Sequence, residues 1–210
     1  MEHRFIAIEG PIGVGKTTLA KRLSESLGLD YVSDTDADNP YLERFYKQQK
    51  QFALHTQLHF LLTRLELLQQ VAYAERPFVS DFILAKDRIF AELTLDDTEL
   101  WMYSQVLERQ QQVEPAPDLV IYLQAPVEIL IKRIEKRGLR FEQRIDSNYL
   151  QKLIDSYESY FHNYVTTPLL VINASEINLA DNEKDFQNLL SHIREISAGR
   201  HFLNPIAETS

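Results

Sequence analysis

The stretch that most constrains the fold of this chain is residues 5–18, FIAIEGPIGVGKTT. An apolar, β-branched run leads into a glycine-rich turn that ends in a lysine and a threonine, and a helical pattern of apolar residues follows. This order fits G-x-x-x-x-G-K-[ST] and predicts a strand, a phosphate-binding loop and a helix. Glycines let backbone N–H groups converge on an anion, and the start of the helix adds unpaired N–H groups and its dipole.

The loop predicts a nucleoside triphosphate with Mg²⁺ as the ligand. The Lys16 ammonium would bind the β and γ phosphates, and the Thr17 hydroxyl would bind the metal ion. The flanking strand and helix disfavour the alternative, an accidental glycine-rich turn. The residues predicted to bind the triphosphate are Gly10, Ile12, Gly13, Val14, Gly15, Lys16, Thr17 and Thr18.

The composition excludes several classes of protein. A chain of 210 residues that is 44% hydrophobic and 25% charged suits one globular domain. A net charge of −9 argues against binding a nucleic acid polymer or an anionic membrane, because both attract basic surfaces. The absence of cysteine rules out disulfides and zinc–thiolate sites. No apolar run approaches the roughly 18 residues of a membrane span and none resembles a signal peptide, so we expect a cytoplasmic protein.

Short apolar strands alternate with helical patterns along the chain. This alternation predicts a P-loop α/β fold of three layers, α/β/α, with a five-stranded parallel sheet and helices on both faces. A single kinase-like domain is expected over residues 1–198, with an arginine-rich lid at about 136–147 and a loose, polar tail at 199–210. The five predicted strands lie near residues 5–8, 31–33, 77–80, 119–123 and 169–172.

Acidic residues follow two of the predicted strands. Ligands of parallel sheets bind at the carboxyl ends of the strands, so the phosphate loop, Asp34 and Asp81 should face one cleft. A carboxylate there could take the proton from a hydroxyl acceptor or orient it, and Asp34, Asp36 and Asp81 are the candidates by position. Thr17 is the predicted Mg²⁺ ligand, with Asp34 or Asp81 contributing through water.

A basic stretch after the fourth predicted strand helps to choose among the classes of P-loop protein. Arg133 and Arg137 are spaced i, i+4, so like charges share one helix face, which is mildly unfavourable unless an anion binds there. The alternative is an ordinary solvated helix face. Phosphoryl transfer needs mainly positioning and charge neutralisation, and the chain lacks the Asn-Lys-x-Asp stretch of a GTPase, so a small-molecule kinase is favoured.

Several separate stretches resemble the deoxyribonucleoside kinase family of P-loop kinases, in its bacterial deoxyadenosine/deoxyguanosine kinase-like branch. The resemblance covers about residues 4–195 and is carried by IEGPIGVGKTT, DNPYLERFY, HTQLHFLLTR, SDFILAKDRIFA and KRIEKRGLRFEQRID. It implies transfer of the γ-phosphoryl group of ATP to the 5′-hydroxyl of a deoxyribonucleoside, with Mg²⁺ and in a homodimer. A purine substrate is favoured, because the Arg64 and Asp87 pair offers both a donor and an acceptor, and a pyrimidine stays open as the alternative.

The resemblance also implies roles for single residues. Asp34 would be the catalytic carboxylate, with Asp36 as its rival, and Arg133 and Arg137 would be the lid arginines. The implied substrate-binding residues are Tyr46 and Glu142 at the sugar 3′-hydroxyl, Gln57 at the base edge, Arg64 and Asp87 deeper in the base pocket, Phe90 stacked on the base, and Asp81.

The chain departs from the family pattern beside Asp81. Phe82 stands where the family usually has an arginine, and Lys86 or Arg88 could supply the missing charge. Leu139 replaces a usual lid arginine, with Arg140 next to it. Two alternatives to a deoxynucleoside kinase stay open: a nucleoside monophosphate kinase of the thymidylate type, and a non-catalytic ATP-binding partner subunit.

Overall fold

The computed structural model describes residues 3–33, 39–110, 115–175, 177, 179 and 181–203. The strands are β1 Phe5–Glu9, β2 Asp30–Val32, β3 Phe78–Ser80, β4 Leu119–Gln124, β5 Leu169–Asn173 and β6 Arg200–Leu203. The helices are α1 Lys16–Leu27, α2 Leu42–Lys47, α3 Gln49–Ala74, α4 Leu84–Thr94, α5 Asp97–Gln110, α6 Val127–Arg137, α7 Ser147–His162 and α8 Glu183–Glu195, with a 3₁₀ turn at Glu142–Arg144. Asp34 and Asp36 lie outside the described residues.

The strands form one parallel sheet in the order β2-β3-β1-β4-β5-β6. Strand β1 lies at its centre, where Ile6 is paired with Val79 on one side and Leu119 on the other. All five residues of β1 are buried, as expected of a strand covered on both faces. The predicted three-layer α/β fold is therefore confirmed.

Alternate residues of β1 supply two separate cores. Ile6 and Ile8 pack with apolar residues of α1, α6 and α8, whereas Phe5 and Ala7 pack with those of α3, α4 and α5. This division follows from the period of two along a strand, which sends neighbouring side chains to opposite faces. The two cores hold the carboxyl end of β1, and with it the phosphate loop, at a fixed place.

The sheet has six strands, and the prediction of five was wrong. The sixth strand, β6, falls in the segment predicted as a loose tail, and its His201 is paired with Leu170 of β5. Of its four residues only Leu203 is buried. An edge strand needs no apolar pattern because one side faces solvent, which is why the sequence pattern did not indicate it.

Arg200 of β6 also completes the end of α7. Its guanidinium donates to the backbone carbonyls of Phe161 at 2.6 Å and His162 at 2.9 Å, which lack partners within the helix. Across the described part of the chain, no helix has the length and apolar character needed to cross a membrane.

Candidate active site

A cavity of about 630 Å³ opens at the carboxyl edge of the sheet. That volume lies within the range usual for small-molecule sites. The phosphate loop lines one end, and the rest is lined by residues of α2, α3, α4, α6 and α7, the end of β4 and the segment after β5. The predicted site residues that line it are Ile12, Gly13, Val14, Gly15, Lys16, Thr17, Thr18, Tyr46, Gln57, Arg64, Asp81, Phe90, Arg133 and Arg137.

The phosphate loop is packed too tightly for side chains at two of its glycines. A Cβ at Gly10 would lie 2.5 Å from the Leu123 carbonyl oxygen, and one at Gly13 would lie 2.8 Å from Cγ1 of Ile134. Both residues also have positive φ angles, 146° and 82°. The loop is thus held against the end of β4 and against α6, with its backbone turned toward the cavity.

The Lys16 ammonium lies across this loop. It donates to the carbonyl oxygens of Gly10 at 2.7 Å and Pro11 at 3.0 Å. These contacts hold the charge at the mouth of the loop, where a point charge can pair with phosphate oxygens.

Asp81 connects the phosphate loop to the neighbouring strand β2. One of its carboxylate oxygens accepts hydrogen bonds from Thr17 Oγ1 at 2.7 Å, Ser33 Oγ at 3.0 Å and the Tyr31 hydroxyl at 3.1 Å. Burial, reinforced by Asp81, raises the pKa of Tyr31 to about 12, so its hydroxyl stays a donor at neutral pH. The other Asp81 oxygen is buried and has no hydrogen-bond partner.

The donor set around Thr17 and Asp81 fits Mg²⁺. Both offer hard oxygen atoms, and the second Asp81 oxygen is a buried acceptor that a metal-bound water could satisfy. Magnesium usually takes one or two protein ligands together with substrate phosphates, so a larger cluster is not required. Within the described ranges, no group of three or more His, Asp or Glu residues could hold a metal ion by itself.

The far end of the cavity contains a buried ion pair. The Arg64 guanidinium donates to Asp87, and both side chains are almost fully buried. Arg64 also lies over the rings of Phe60, 4.7 Å from the centroid, and Phe82, 5.8 Å from the centroid. Arg64 lines the cavity and Asp87 does not, so the arginine is the member of the pair that a ligand would contact.

Gln57 and Phe90 lie on the same two helices as this ion pair, α3 and α4, and line the cavity. The Gln57 amide nitrogen donates to Thr94 Oγ1 at 3.2 Å, and that hydroxyl donates to the Phe90 carbonyl at 2.7 Å. The contact fixes the orientation of the amide at the cavity wall. The predicted base-binding residues therefore lie together.

The lid side of the cavity joins Tyr46, Glu142 and Arg137. Glu142 is buried and accepts two hydrogen bonds from Arg137, one of them from Nε at 2.8 Å. The Tyr46 ring stacks on that of Phe141, the residue before Glu142, with centroids 6.0 Å apart. The two residues implied for the sugar 3′-hydroxyl are thus neighbours.

Arg133 joins the phosphate loop to the end of β5. It donates to the carbonyl of Val14 at 3.0 Å and to that of Ala174 at 2.6 Å. Burial lowers the pKa of Arg133, although an arginine remains charged at neutral pH. Both predicted lid arginines therefore line the cavity, each bound to protein groups.

Two residues at the site, Tyr149 and Glu9, were not among the predicted ones, and a third, Lys86, was predicted only as a substitute for the missing arginine. The Tyr149 hydroxyl is buried without a hydrogen-bond partner on the cavity wall, and burial raises its pKa. Lys86 also lines the cavity. Glu9, fully buried at the end of β1, accepts from the backbone N–H of Gly10 and of Ile83. A carboxylate inside an apolar strand, directly before a glycine, was the available signal for Glu9.

The comparisons with known proteins agree with one another. The family model "Deoxynucleoside kinase" matches residues 6–197. Deoxyguanosine kinase of Bacillus subtilis is 34% identical over 200 residues, which cover 91% of this chain and 97% of that protein. Deoxyadenosine kinase of Lactobacillus acidophilus is 31% identical over 206 residues, covering 91% and 95%.

A solved structure supports the same relationship. Deoxyadenosine kinase from M. mycoides, with the products dCMP and a flexible dCDP bound, superposes with a TM-score of 0.82 at 28% identity. The match covers 91% of this chain and all of that one. The chain belongs to the deoxynucleoside kinase family, and is thus an ATP-dependent phosphotransferase that acts on deoxynucleosides.

Proposed function

We propose that this enzyme transfers the γ-phosphoryl group of ATP to the 5′-hydroxyl of a purine deoxynucleoside and gives the 5′-monophosphate. One observation carries the proposal: a single cavity runs from the phosphate loop at Lys16 and Thr17 to the buried Arg64–Asp87 pair. Its two ends suit a triphosphate and a base, which leaves the sugar and the reacting phosphoryl group between them. Relatives named deoxyguanosine kinase and deoxyadenosine kinase support a purine.

The proposed reaction is a direct displacement. The 5′-oxygen of the acceptor forms a bond to the γ-phosphorus while the bond from that phosphorus to the β–γ bridging oxygen breaks, and ADP leaves with the electron pair. The hydroxyl proton passes to the carboxylate of Asp34, with Asp36 as the alternative. Val32 is paired with Ser80, so the chain after β2 leaves the sheet at the same edge as Asp81, which supports this assignment.

The remaining residues bind and orient the two substrates. Mg²⁺, held by Thr17 with Asp81 through water, would neutralise charge on the donor phosphates. Gln57, Arg64 and Phe90 would hold the base. Arg133 and Arg137 would neutralise the phosphate oxygens during transfer, since guanidinium groups suit such oxygens well.

We also propose a homodimer in the cytoplasm that has no nucleic acid polymer or membrane as a partner. The family resemblance supports the dimer, and the net charge of −9 supports the absence of polyanionic partners. Trp101 on α5 is 65% exposed, which leaves apolar area for a second copy. We propose the same single domain, extended from residue 198 through β6 to Leu203, with the lid at about 136–147. Light scattering of the purified protein measures the dimer directly.

An acceptor screen tests the function. Purified enzyme with ATP and Mg²⁺ is given deoxyguanosine, deoxyadenosine, deoxycytidine and thymidine in turn, and monophosphate is quantified by mass spectrometry. We expect the highest kcat/KM with one of the two purines. The four deoxynucleoside monophosphates serve as competing acceptors, and preferential turnover of one of them would support a thymidylate-type kinase instead. Binding of ATP without turnover of any acceptor would contradict the proposal.

A further inference from the structure

Lys86 brings a buried positive charge to the cavity. It lies in the first turn of α4, is 8% exposed, and lines the cavity together with the phosphate loop. A lysine side chain is rarely so buried unless an anion balances it. Lys86 therefore adds a cation to the wall of the cavity.

The Glu9 carboxylate lies near Lys86 and fixes the start of its helix. Its carboxylate accepts from the Ile83 backbone N–H at 2.8 Å, just before α4, and from that of Gly10 at 3.2 Å, at the start of the phosphate loop. Burial raises the pKa of Glu9, and the nearby ammonium groups of Lys86 and Lys16 oppose that rise. Glu9 thus joins the beginning of α4 to the phosphate loop, with both lysines in its field.

The residues at positions 82 and 88 do not bring a positive charge to the cavity. Arg88 is 70% exposed along its side chain and pairs with Glu92 on the protein surface. Phe82 is completely buried and packs against the Arg64 guanidinium. Of positions 82, 86 and 88, only Lys86 lines the cavity.

The order of residues along α4 locates this charge between the two ends of the cavity. Asp81, just before α4, binds Thr17 of the phosphate loop, whereas Phe90 lies at the acceptor end. Lys86 and Phe90 are four residues apart on one helix and share a face. Lys86 therefore lies between the donor phosphates and the acceptor base, where the transferred group must pass.

We propose that the Lys86 ammonium contacts the phosphoryl group in transit and is a catalytic residue of the transfer. The inference rests on the proposed function. Charge on the equatorial oxygens of the transferred group must be neutralised, and a fixed cation in a water-poor cavity does so without reorganising. Lys86 forms and breaks no covalent bond: it stays protonated while the γ-phosphorus moves from the bridging oxygen to the 5′-oxygen.

Substitution at Lys86 tests this role. We expect Lys86→Met to lower kcat by about 10²- to 10³-fold, the usual effect of removing one transition-state contact, with the KM for ATP changed by less than about threefold. Lys86→Arg, which keeps the charge, should recover at least about tenfold of that loss. Arg88→Met is the matched control, because it removes one cation from the exposed face of the same helix, and its kcat should stay within about twofold of wild type.

A second variant separates catalysis from a purely structural role. Lys86→Met leaves the Glu9 carboxylate buried beside one ammonium fewer. Glu9→Gln combined with Lys86→Met also removes that uncompensated charge, at the cost of one of the two oxygens that accept hydrogen bonds from Gly10, Ile83 and Tyr157. We expect the double variant to melt higher than Lys86→Met in circular dichroism and to remain slow by a similar factor. If Lys86→Met does not fold, the kcat of the double variant is compared with that of Lys86→Arg and of the wild type.

The outcomes are distinct. A Lys86→Met enzyme within about threefold of the wild-type kcat, or a double variant that regains that kcat, would overturn the inference and leave the proposed function standing. A wild-type enzyme that phosphorylates no deoxynucleoside would contradict the proposed function, and the inference would fall with it.

Discussion

One carboxylate oxygen of Asp81 connects the phosphate loop to strand β2 and the residue after it. That oxygen accepts from Thr17, Ser33 and Tyr31, while the other oxygen is buried without a partner. A buried acceptor left unsatisfied costs free energy unless a cation or its water fills the space beside it. Asp81 thus orients the Thr17 hydroxyl, and we propose that its second oxygen attracts the metal ion.

Replacement of Asp81 should therefore change the dependence on magnesium. We expect Asp81→Asn to lower kcat/KM for ATP by about 10- to 100-fold, since charge-assisted hydrogen bonds of that size are lost, and to raise the Mg²⁺ concentration for half-maximal rate. Titration of the initial rate with Mg²⁺ measures both. Tyr31→Phe is the control, because it removes one donor and keeps the carboxylate, and its effect should stay below about fivefold. Wild-type Mg²⁺ dependence in Asp81→Asn would rule this role out.

The residue scale also shows where sequence reasoning reached its limit. Gln57 and Arg64 could be assigned through the family resemblance, and both lie on α3 and line the cavity. The choice between Lys86 and Arg88 could not be made, because residues two apart on a helix point about 200° away from each other. Which one faces the cavity depends on where α4 begins, and the contact of Ile83 with Glu9, 74 residues away in sequence, helps to set that start.

At the scale of elements, the phosphate loop is shaped by α6 as well as by α1. Gly13 has no room for a Cβ because Ile134 and the Leu130 carbonyl of α6 lie 2.8 and 3.1 Å from where it would stand. Gly15 also has a positive φ, but nothing lies within 4 Å of its Cβ position. A side chain at Gly15 would therefore cause backbone strain alone, whereas one at Gly13 would cause both backbone strain and a steric clash.

This difference should appear in stability. We expect Gly15→Ala to lower the free energy of unfolding by about 1 kcal/mol, the cost of a left-handed backbone, and Gly13→Ala to lower it by about 2–4 kcal/mol, because overpacking adds to that cost. Urea unfolding followed by circular dichroism gives both values. An equal decrease in the free energy of unfolding in the two variants would mean that α6 shifts to accommodate the added methyl group.

The edge strand β6 is the element that the pattern of the sequence could not reveal. A central strand such as β4 is recognisable because five of its six residues are buried, so its sequence is a continuous apolar run. β6 has one neighbour and buries only Leu203, so its polar composition resembles that of a tail. The helices, in contrast, are indicated by apolar residues that recur every three or four positions.

At the scale of the whole molecule, the site is where the two cores and the lid meet. The order of strands and helices was sufficient to predict that β1, β2 and β3 direct their ends to one edge, because crossovers between parallel strands have a single hand. The Arg64 and Asp87 pair was implied by the resemblance, whereas the Arg137–Glu142 ion pair was not predicted. The Arg137–Glu142 pair links the lid helix to the acceptor side, and it depends on how the chain turns after Gly138.

The Arg137–Glu142 pair allows the binding of the acceptor sugar to be separated from the placement of the lid arginine. If Glu142 binds the 3′-hydroxyl, Glu142→Gln should lower kcat/KM about 100-fold for a 2′-deoxynucleoside and far less for its 2′,3′-dideoxy analogue, which has no such hydroxyl to lose. If Glu142 only anchors Arg137, both acceptors should lose rate equally. Glu128→Gln is the control, because it makes the same change of charge at an exposed position of α6, and it should alter the rate with neither acceptor. Initial rates with the two acceptors at a fixed ATP concentration decide between these roles, because the lid and the donor site are common to both reactions.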